Sequence, residues 1–179
     1  MSKIVILESL AVSDEKMRAQ DADALIIANM PLRGEVIRAC GKLKYIDVAF
    51  TGVDHVDLAA AREMGVKVSN ASGYSNEAVA ELALGMALSL SRNLTAVEER
   101  CRQGKTKDGL MGFELKGKTV GIIGMGHIGR RSAELFRALG CTILAQNRSV
   151  HSDFPDYVTQ VSQEELLKRA DVVLLHCPL

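Results

Sequence analysis

TVGIIGMGHIGRRSAELFRALGCTILAQNRS, residues 119–149, is the stretch whose reading decides the fold. Residues 119–123 are a short apolar run rich in β-branched side chains, which reads as a buried strand. Gly124-Met-Gly126-His-Ile-Gly129 follows at once, then an amphipathic run to Gly140 and a second apolar run over 142–145. Strand, glycine turn, helix, strand is the context that turns a bare G-x-G-x-x-G into a dinucleotide-binding signal. Each glycine has a job: Gly124 permits a tight turn, Gly126 lets a pyrophosphate approach the backbone, and Gly129 lets helix and strand pack closely. The free N–H groups at the helix start then face the anion. A purely structural glycine turn is the alternative, and the flanking strands argue against it.

The whole chain sets wide bounds. Its 179 residues suffice for one large domain or one and a half. Hydrophobic residues make up 47% and charged residues 25%, ordinary for a globular protein. Lys+Arg and Asp+Glu both number 22, so no net field recruits nucleic acid or a membrane surface. No apolar run nears the roughly 20 residues of a membrane span. Residues 3–7 read as a first strand rather than a signal peptide. Cys40, Cys101, Cys141 and Cys177 form no C-x-x-C pair. That pattern fits reduced thiols in a cytoplasmic protein, and no metal site is read from it.

Upstream of the glycines, apolar runs at 3–7, 24–28, 45–50 and 66–69 alternate with helical patterns at 13–20, 33–40 and 59–64, which argues for a parallel α/β unit. Ser75 is placed to cap the next helix, with Glu77 in its first turn. Residues 78–94 are apolar on nearly every side, so this helix is expected to be buried between layers. A charged helix over 95–102 and a glycine-punctuated connector over 104–112 hold the domain boundary: residues 1–94, then 95–179. Downstream, a weak strand near 157–160, a capping box at Ser162-Gln-Glu-Glu165 and a strand over 172–176 complete the pattern. This fourth strand is expected beside the fingerprint strand. A doubly wound domain has six strands ordered 3-2-1-4-5-6, so the chain reads as part of a longer protein.

These residues together resemble the D-isomer-specific 2-hydroxyacid dehydrogenases, the family that includes phosphoglycerate dehydrogenase. The resemblance is carried by FTGVDHVDLA (50–59), GVKVSNASGYSNEAVAEL (65–82), Arg92-Asn93, ELKGKTVGIIGMGHIGR (114–130) and EELLKRADVVLLHCPL (164–179). It implies an α/β protein: a flavodoxin-like substrate domain, then the first half of a Rossmann-type doubly wound nucleotide domain, with the cofactor in the cleft between them. It also implies hydride transfer between a nicotinamide cofactor and a small 2-oxo or 2-hydroxy acid, and a homodimer built through the nucleotide domain and the connector. A nucleotide-driven, non-enzymatic corepressor-like module is the alternative.

Site residues follow from the same resemblance. Gly52 and Val53 fall on the loop whose amides hold the substrate carboxylate; locally, an anion-binding nest and a plain strand-end turn read these residues equally well. Asp54 and Asp57 are expected to cap and brace the following helix. Ala71 falls by the nicotinamide ribose, His127 and Ile128 by the pyrophosphate, and Cys177 and Pro178 on the loop lining the adenosine side. The His127 side chain is expected to face solvent, and His176 to be a strand-end packing residue. The family's substrate-binding Arg, its acid–base His and the Glu beside that His match no position in residues 1–179. They are expected further along a longer chain.

The second strand of an NAD-binding fold ends in an acidic residue that bonds the ribose 2′-hydroxyl. Here it ends in Asn147-Arg148-Ser149. The acid is gone and a base has arrived, so NADP(H) is the expected cofactor and NAD(H) the alternative.

Overall fold

The computed structural model describes residues 2–7, 19–150 and 152–177. The helix expected over 13–20 lies outside these except at Ala19 and Gln20, and His151 and Pro178 lie outside as well. By packing, the chain divides into two units, Met1–Tyr74 and Ser75–Leu179.

The first unit holds four parallel strands in sequential order: β1 (Ile4–Leu7), β2 (Ala24–Ile27), β3 (Tyr45–Val48) and β4 (Lys67–Asn70). Register pairs Ile27 with Val48 and Leu25 with Ile46, so the inward side chains of neighbouring strands stack. Leu7, Leu25, Ile27, Ile46 and Val48 then share a core with Leu32, Val36 and Ile37 of α1 (Gly34–Ala39) and the segment before it. The flavodoxin order is 2-1-3-4-5. The four described strands, in sequential order, match the 1-3-4-5 portion of it. Helix α2 (Leu58–Glu63) starts where the Asp57 carboxylate accepts the Ala60 N–H at 2.9 Å. It stops at Gly65, whose φ of +68° few other residues tolerate.

The second unit comprises α3 (Asn76–Ser91), α4 (Leu94–Arg102), β5 (Thr119–Ile123), α5 (His127–Ala138), β6 (Thr142–Gln146), β7 (Val158–Gln160), α6 (Gln163–Arg169) and β8 (Val172–Leu175). Its parallel sheet runs β7-β6-β5-β8, the 3-2-1-4 portion of the doubly wound order. β5 is covered on both faces. Val120 and Ile122 pack with Ala133 and Phe136 of α5 and with Ala83 and Ala87 of α3. Gly121 faces the other way, where any Cβ would overlap the Leu166 side chain of α6.

α3 departs from the expected burial on all sides. Its Ala80, Ala83, Ala87 and Ser91 are buried, but Leu82, Met86 and Leu90 are 62%, 54% and 78% exposed. Composition reported an apolar helix; among the described residues it packs chiefly on α5, which covers only the small-residue side. The Glu77 carboxylate pairs with Arg131 of α5 at 2.7 Å on the same side. By packing, α3 groups with the second unit, Ser75–Leu179.

Candidate functional site

The glycine turn is held by backbone contacts that leave no room for side chains. Gly124 takes φ +95°, and a Cβ there would lie 2.5–2.8 Å from the backbone of His176 and Cys177, where the chain leaves β8. A Cβ on Gly129 would overlap the Gly124 carbonyl oxygen. The Gly124 N–H donates to the Gln146 carbonyl at 2.9 Å, and the His176 N–H to the Ile123 carbonyl at 2.8 Å, so β6 and β8 grip the turn from both sides. Gly126 differs. Its φ of −80° is open to any residue, and a Cβ would meet nothing within 4 Å. Packing does not demand a glycine at 126, whereas approach of a ligand to the backbone does.

Gly124 and Gly126 line a cavity of about 600 Å³ together with Ile123, Met125, Gln146, Asn147, Arg148, Ser149, His176 and Cys177. The glycines expected from sequence and the Asn147-Arg148-Ser149 segment therefore come together. His127, Ile128 and Gly129 open α5 just beyond Gly126, with the His127 side chain exposed. The N–H groups of Gly126, His127 and Ile128 donate to no described group, which leaves the positive end of a 12-residue helix aimed outward.

Asn147 has a fixed orientation. Its Oδ1 accepts the Met125 N–H at 2.6 Å, so the side-chain NH2 is the end left for other partners. Arg148 is exposed and pairs with no carboxylate among the described residues. Arg130, by contrast, is committed: it bonds the Asp153 carboxylate at 2.6 Å and lies 5.1 Å over the Phe154 ring. The Cys177 thiol is exposed, while Cys141 is buried with its thiol on the Leu115 carbonyl and its pKa pushed up by burial. His176 is more than a strand-end packing residue. Its Nε2 lies 3.0 Å from Oγ of the fully buried Ser132, and burial lowers its pKa, so the ring is neutral at pH 7. The two residues are 44 positions apart, so no local pattern announced this pair.

In the first unit, the loop after β3 carries Gly52 and Val53. Their N–H groups donate to no described group, and the Val53 carbonyl accepts the Val56 N–H at 2.9 Å. The Leu32 N–H on the His55 carbonyl and the Asp57 N–H on the Leu32 carbonyl brace the loop. His55 Nε2 is buried and has no hydrogen-bond partner among the described residues. The Ala71 N–H is engaged, reaching the Val48 and Phe50 carbonyls at 3.1 Å each, so any ligand contact at Ala71 is made by its other atoms.

Comparison with known proteins agrees with this geometry. The sequence model of the "D-isomer specific 2-hydroxyacid dehydrogenase, NAD binding domain" matches residues 84–179. The 2-hydroxyacid dehydrogenase A of Aspergillus oryzae is 34% identical over 180 residues, covering 98% of this chain and 52% of that protein. A D-2-hydroxyacid dehydrogenase (NAD(+)) of Clostridioides difficile is 38% identical over 148 residues, 81% of this chain and 44% of its own length. The solved acyclic imino acid reductase in complex with NADPH and D-Arg superposes with a TM-score of 0.88 at 25% identity, over 99% of this chain and 66% of that one. This chain thus spans about half the length of the curated relatives it matches. On the family match, the shared sheet order and the glycine turn, it belongs to the D-isomer specific 2-hydroxyacid dehydrogenase family.

Proposed function

We propose that residues 1–179 are the substrate domain and the leading half of the nucleotide domain of a D-2-hydroxyacid dehydrogenase, which moves hydride between a nicotinamide cofactor and a small 2-oxo or 2-hydroxy acid. The observation that carries this reading is Gly126, a glycine with open space before it at the start of α5. The cofactor supplies the hydride when bound; this chain's residues place and hold it. Gly126, His127 and Ile128 offer N–H groups to the pyrophosphate, and Cys177 and Pro178 line the adenosine side. Gly52 and Val53 offer theirs to the substrate carboxylate, and Ala71 packs by the nicotinamide ribose. A valine at Gly126 abolishes dinucleotide binding on this reading; unchanged affinity in a titration calorimeter would refute it.

Reduction of a ketone also needs a proton donor tuned near the working pH. None of the described histidines has a carboxylate partner. Residues 1–179 alone therefore turn over no glyoxylate, hydroxypyruvate or pyruvate, and the complete protein reduces at least one of them. A non-enzymatic corepressor-like role is the less favoured reading, because the relatives above carry enzyme names.

For the cofactor, NADP(H) is favoured over NAD(H). The Met125 N–H occupies the Asn147 Oδ1 and leaves its NH2 for other partners, and the adjacent Arg148 cation pairs with no carboxylate among the described residues, so the pocket offers donors where a 2′-phosphate brings acceptors. Ser149 lines the same wall. One relative is named for NAD(+) and one neighbour was solved with NADPH, so the choice rests on this chain's own residues. Asn147→Asp with Arg148→Ala in the complete protein lowers the NADPH-to-NADH affinity ratio; an unchanged ratio removes these residues from the argument.

A homodimer is the proposed assembly. Leu94, Met111 and Phe113, at the start of α4 and in the connector, are 52%, 92% and 46% exposed, which suits an intersubunit contact. Light scattering on the complete protein tests it, with a monomer as the refuting result. The proposed location is cytoplasmic, without nucleic acid or membrane partners; among the described residues no helix is long and apolar enough to cross a membrane.

A further inference from the structure

Around the pyrophosphate turn, three close contacts close into a ring. Gly129 of α5 presses on the Gly124 carbonyl, and Gly124 presses on the backbone of His176 and Cys177. The third contact runs back to α5: His176 Nε2 to Ser132 Oγ, 3.0 Å. Two of these are backbone packing. The third is the sole hydrogen bond between side chains that joins the end of β8 to α5 among the described residues. Ser132 sits one turn beyond Gly129, fully buried beside Ala133 and Phe136. A hydroxyl in such a place normally turns back on its own helix, bonding the carbonyl four residues earlier. Here it points across to a histidine that lines the cavity.

We propose that Ser132 and His176 are a positioning pair that sets the end of β8 against the fingerprint glycine, so that the wall carrying Cys177 and the Gly124–Gly126 backbone are already placed when a dinucleotide arrives. The pair acts through the backbone of residues 176–177, which Gly124 meets at 2.5–2.8 Å from where a Cβ would stand. Loss of the bond leaves β8 paired to β5 through Val172–Leu175 but frees the residues beyond it to withdraw from the turn. The neutral ring suits the task, since either tautomer pairs with a hydroxyl, which both donates and accepts. The inference rests on the nicotinamide-cofactor reading.

The test uses the full chain, titrated with NADPH and with NADH, and exploits the reach of amides. A Gln amide extends to about where Nε2 stands, and an Asn amide stops near Nδ1. Ser132→Ala and His176→Asn are expected to weaken the better-bound dinucleotide about five- to tenfold, the scale of one neutral hydrogen bond. His176→Gln stays within about twofold of the parent, and adding Ser132→Ala to it restores the full loss. Circular dichroism and melting are recorded for every variant. Equal melting losses with unchanged affinities would make the pair purely structural and overturn the proposal. So would a Gln variant that binds as poorly as the Asn variant, or Ala and Asn variants that do not fold. Should the parent chain bind neither dinucleotide, the cofactor reading falls first and takes this inference with it.

Discussion

The turn after β5 and the loop after β3 both leave the carboxyl end of a parallel strand, where ligands of open α/β sheets bind. Both expose successive N–H groups with no described acceptor. They are built differently. At the turn, Gly124 and Gly129 are fixed by backbone a few ångströms away, and only Gly126 has space. At the loop, Gly52 lacks a positive φ and has only Asp54 Oδ2 near it, 3.5 Å from where a Cβ would stand. One site is a rigid frame with a single gap; the other is an open strand end braced from Leu32 and His55. The frame constrains residue identity at two places, Gly124 and Gly129, the strand end at scarcely any.

The largest expected effect separates the glycines of the frame. Gly129→Ala drives a methyl group into the Gly124 carbonyl, and overpacking against backbone costs about 3 kcal/mol, or a melting loss of about 10 °C. Gly126→Ala meets nothing and costs at most about 1 kcal/mol, through a poorer helix cap. Its dinucleotide affinity nonetheless falls at least about tenfold. Calorimetric melting and binding titration of both variants check this. Equal melting losses would dissolve the distinction between frame and gap.

That contrast also decides what could be read from the residues. Gly124, Gly126 and Gly129 were legible because tight turn, open approach and close packing each demand glycine at a fixed spacing, between two runs that can only be strands. The 3-2-1-4 order followed from the doubly wound rule once the glycine fingerprint marked β5 as the first strand of its domain. Gly52 and Val53 carried no such signal: their role came from resemblance, because a free N–H is a property of conformation and not of side chain. Ser132 with His176 was illegible for another reason, two residues on different elements meeting only after the sheet closes. The exposed side of α3 failed similarly, since Leu82, Met86 and Leu90 report hydrophobicity but not whether a neighbour is present.

Gly52→Ala sharpens the same comparison in the first unit. Ordinary contact distance to Asp54 predicts a melting temperature within about 2 °C of the parent. If substrate reaches the backbone there, kcat/KM of the complete protein for 2-oxo acids falls about tenfold, roughly 1.4 kcal/mol of transition-state binding. Stability loss with unaltered kinetics would mark the residues as a plain strand-end turn.

Acid should distinguish the units by smaller increments. Burial holds the His176 pKa below its ordinary 6.5, so below that pH the unfolded chain binds the extra proton first, and stability falls as pH drops toward the folded value. Asp171 takes the Thr119 N–H at 2.8 Å, with Lys118 adding to it, and its pKa lies below 3.8. Its contribution is present above that value and is lost as pH falls through the folded one. Asp23, held chiefly by the Lys3 N–H and then by Lys44, gives the first unit a lower step of the same kind. Melting between pH 7 and 5 should therefore weaken the second unit, and His176→Gln should flatten that decline. A decline of the same slope in the variant would assign it elsewhere.

The smallest effect concerns two serines that sequence pattern treats alike. Ser162 and Ser75 each precede a helix with glutamate in its first turn. An N-cap side chain typically reaches back over the first turn from extended backbone. Ser162 has φ −67°, ψ 157°, and its Oγ accepts the Glu165 N–H at 3.2 Å. Ser75 has φ −109°, ψ 8°, and makes no such bond. Helix α6 lays Leu166 over Gly121 of the fingerprint strand, so fraying at Ser162 reaches the frame, while α3 is held by its alanines on α5 whatever Ser75 does. Ser162→Ala should cost about 1 kcal/mol in denaturant unfolding, and Ser75→Ala less than about 0.3 kcal/mol. Equal costs would mean that Ser75 caps α3 in solution, and that backbone conformation does not separate the two helix starts.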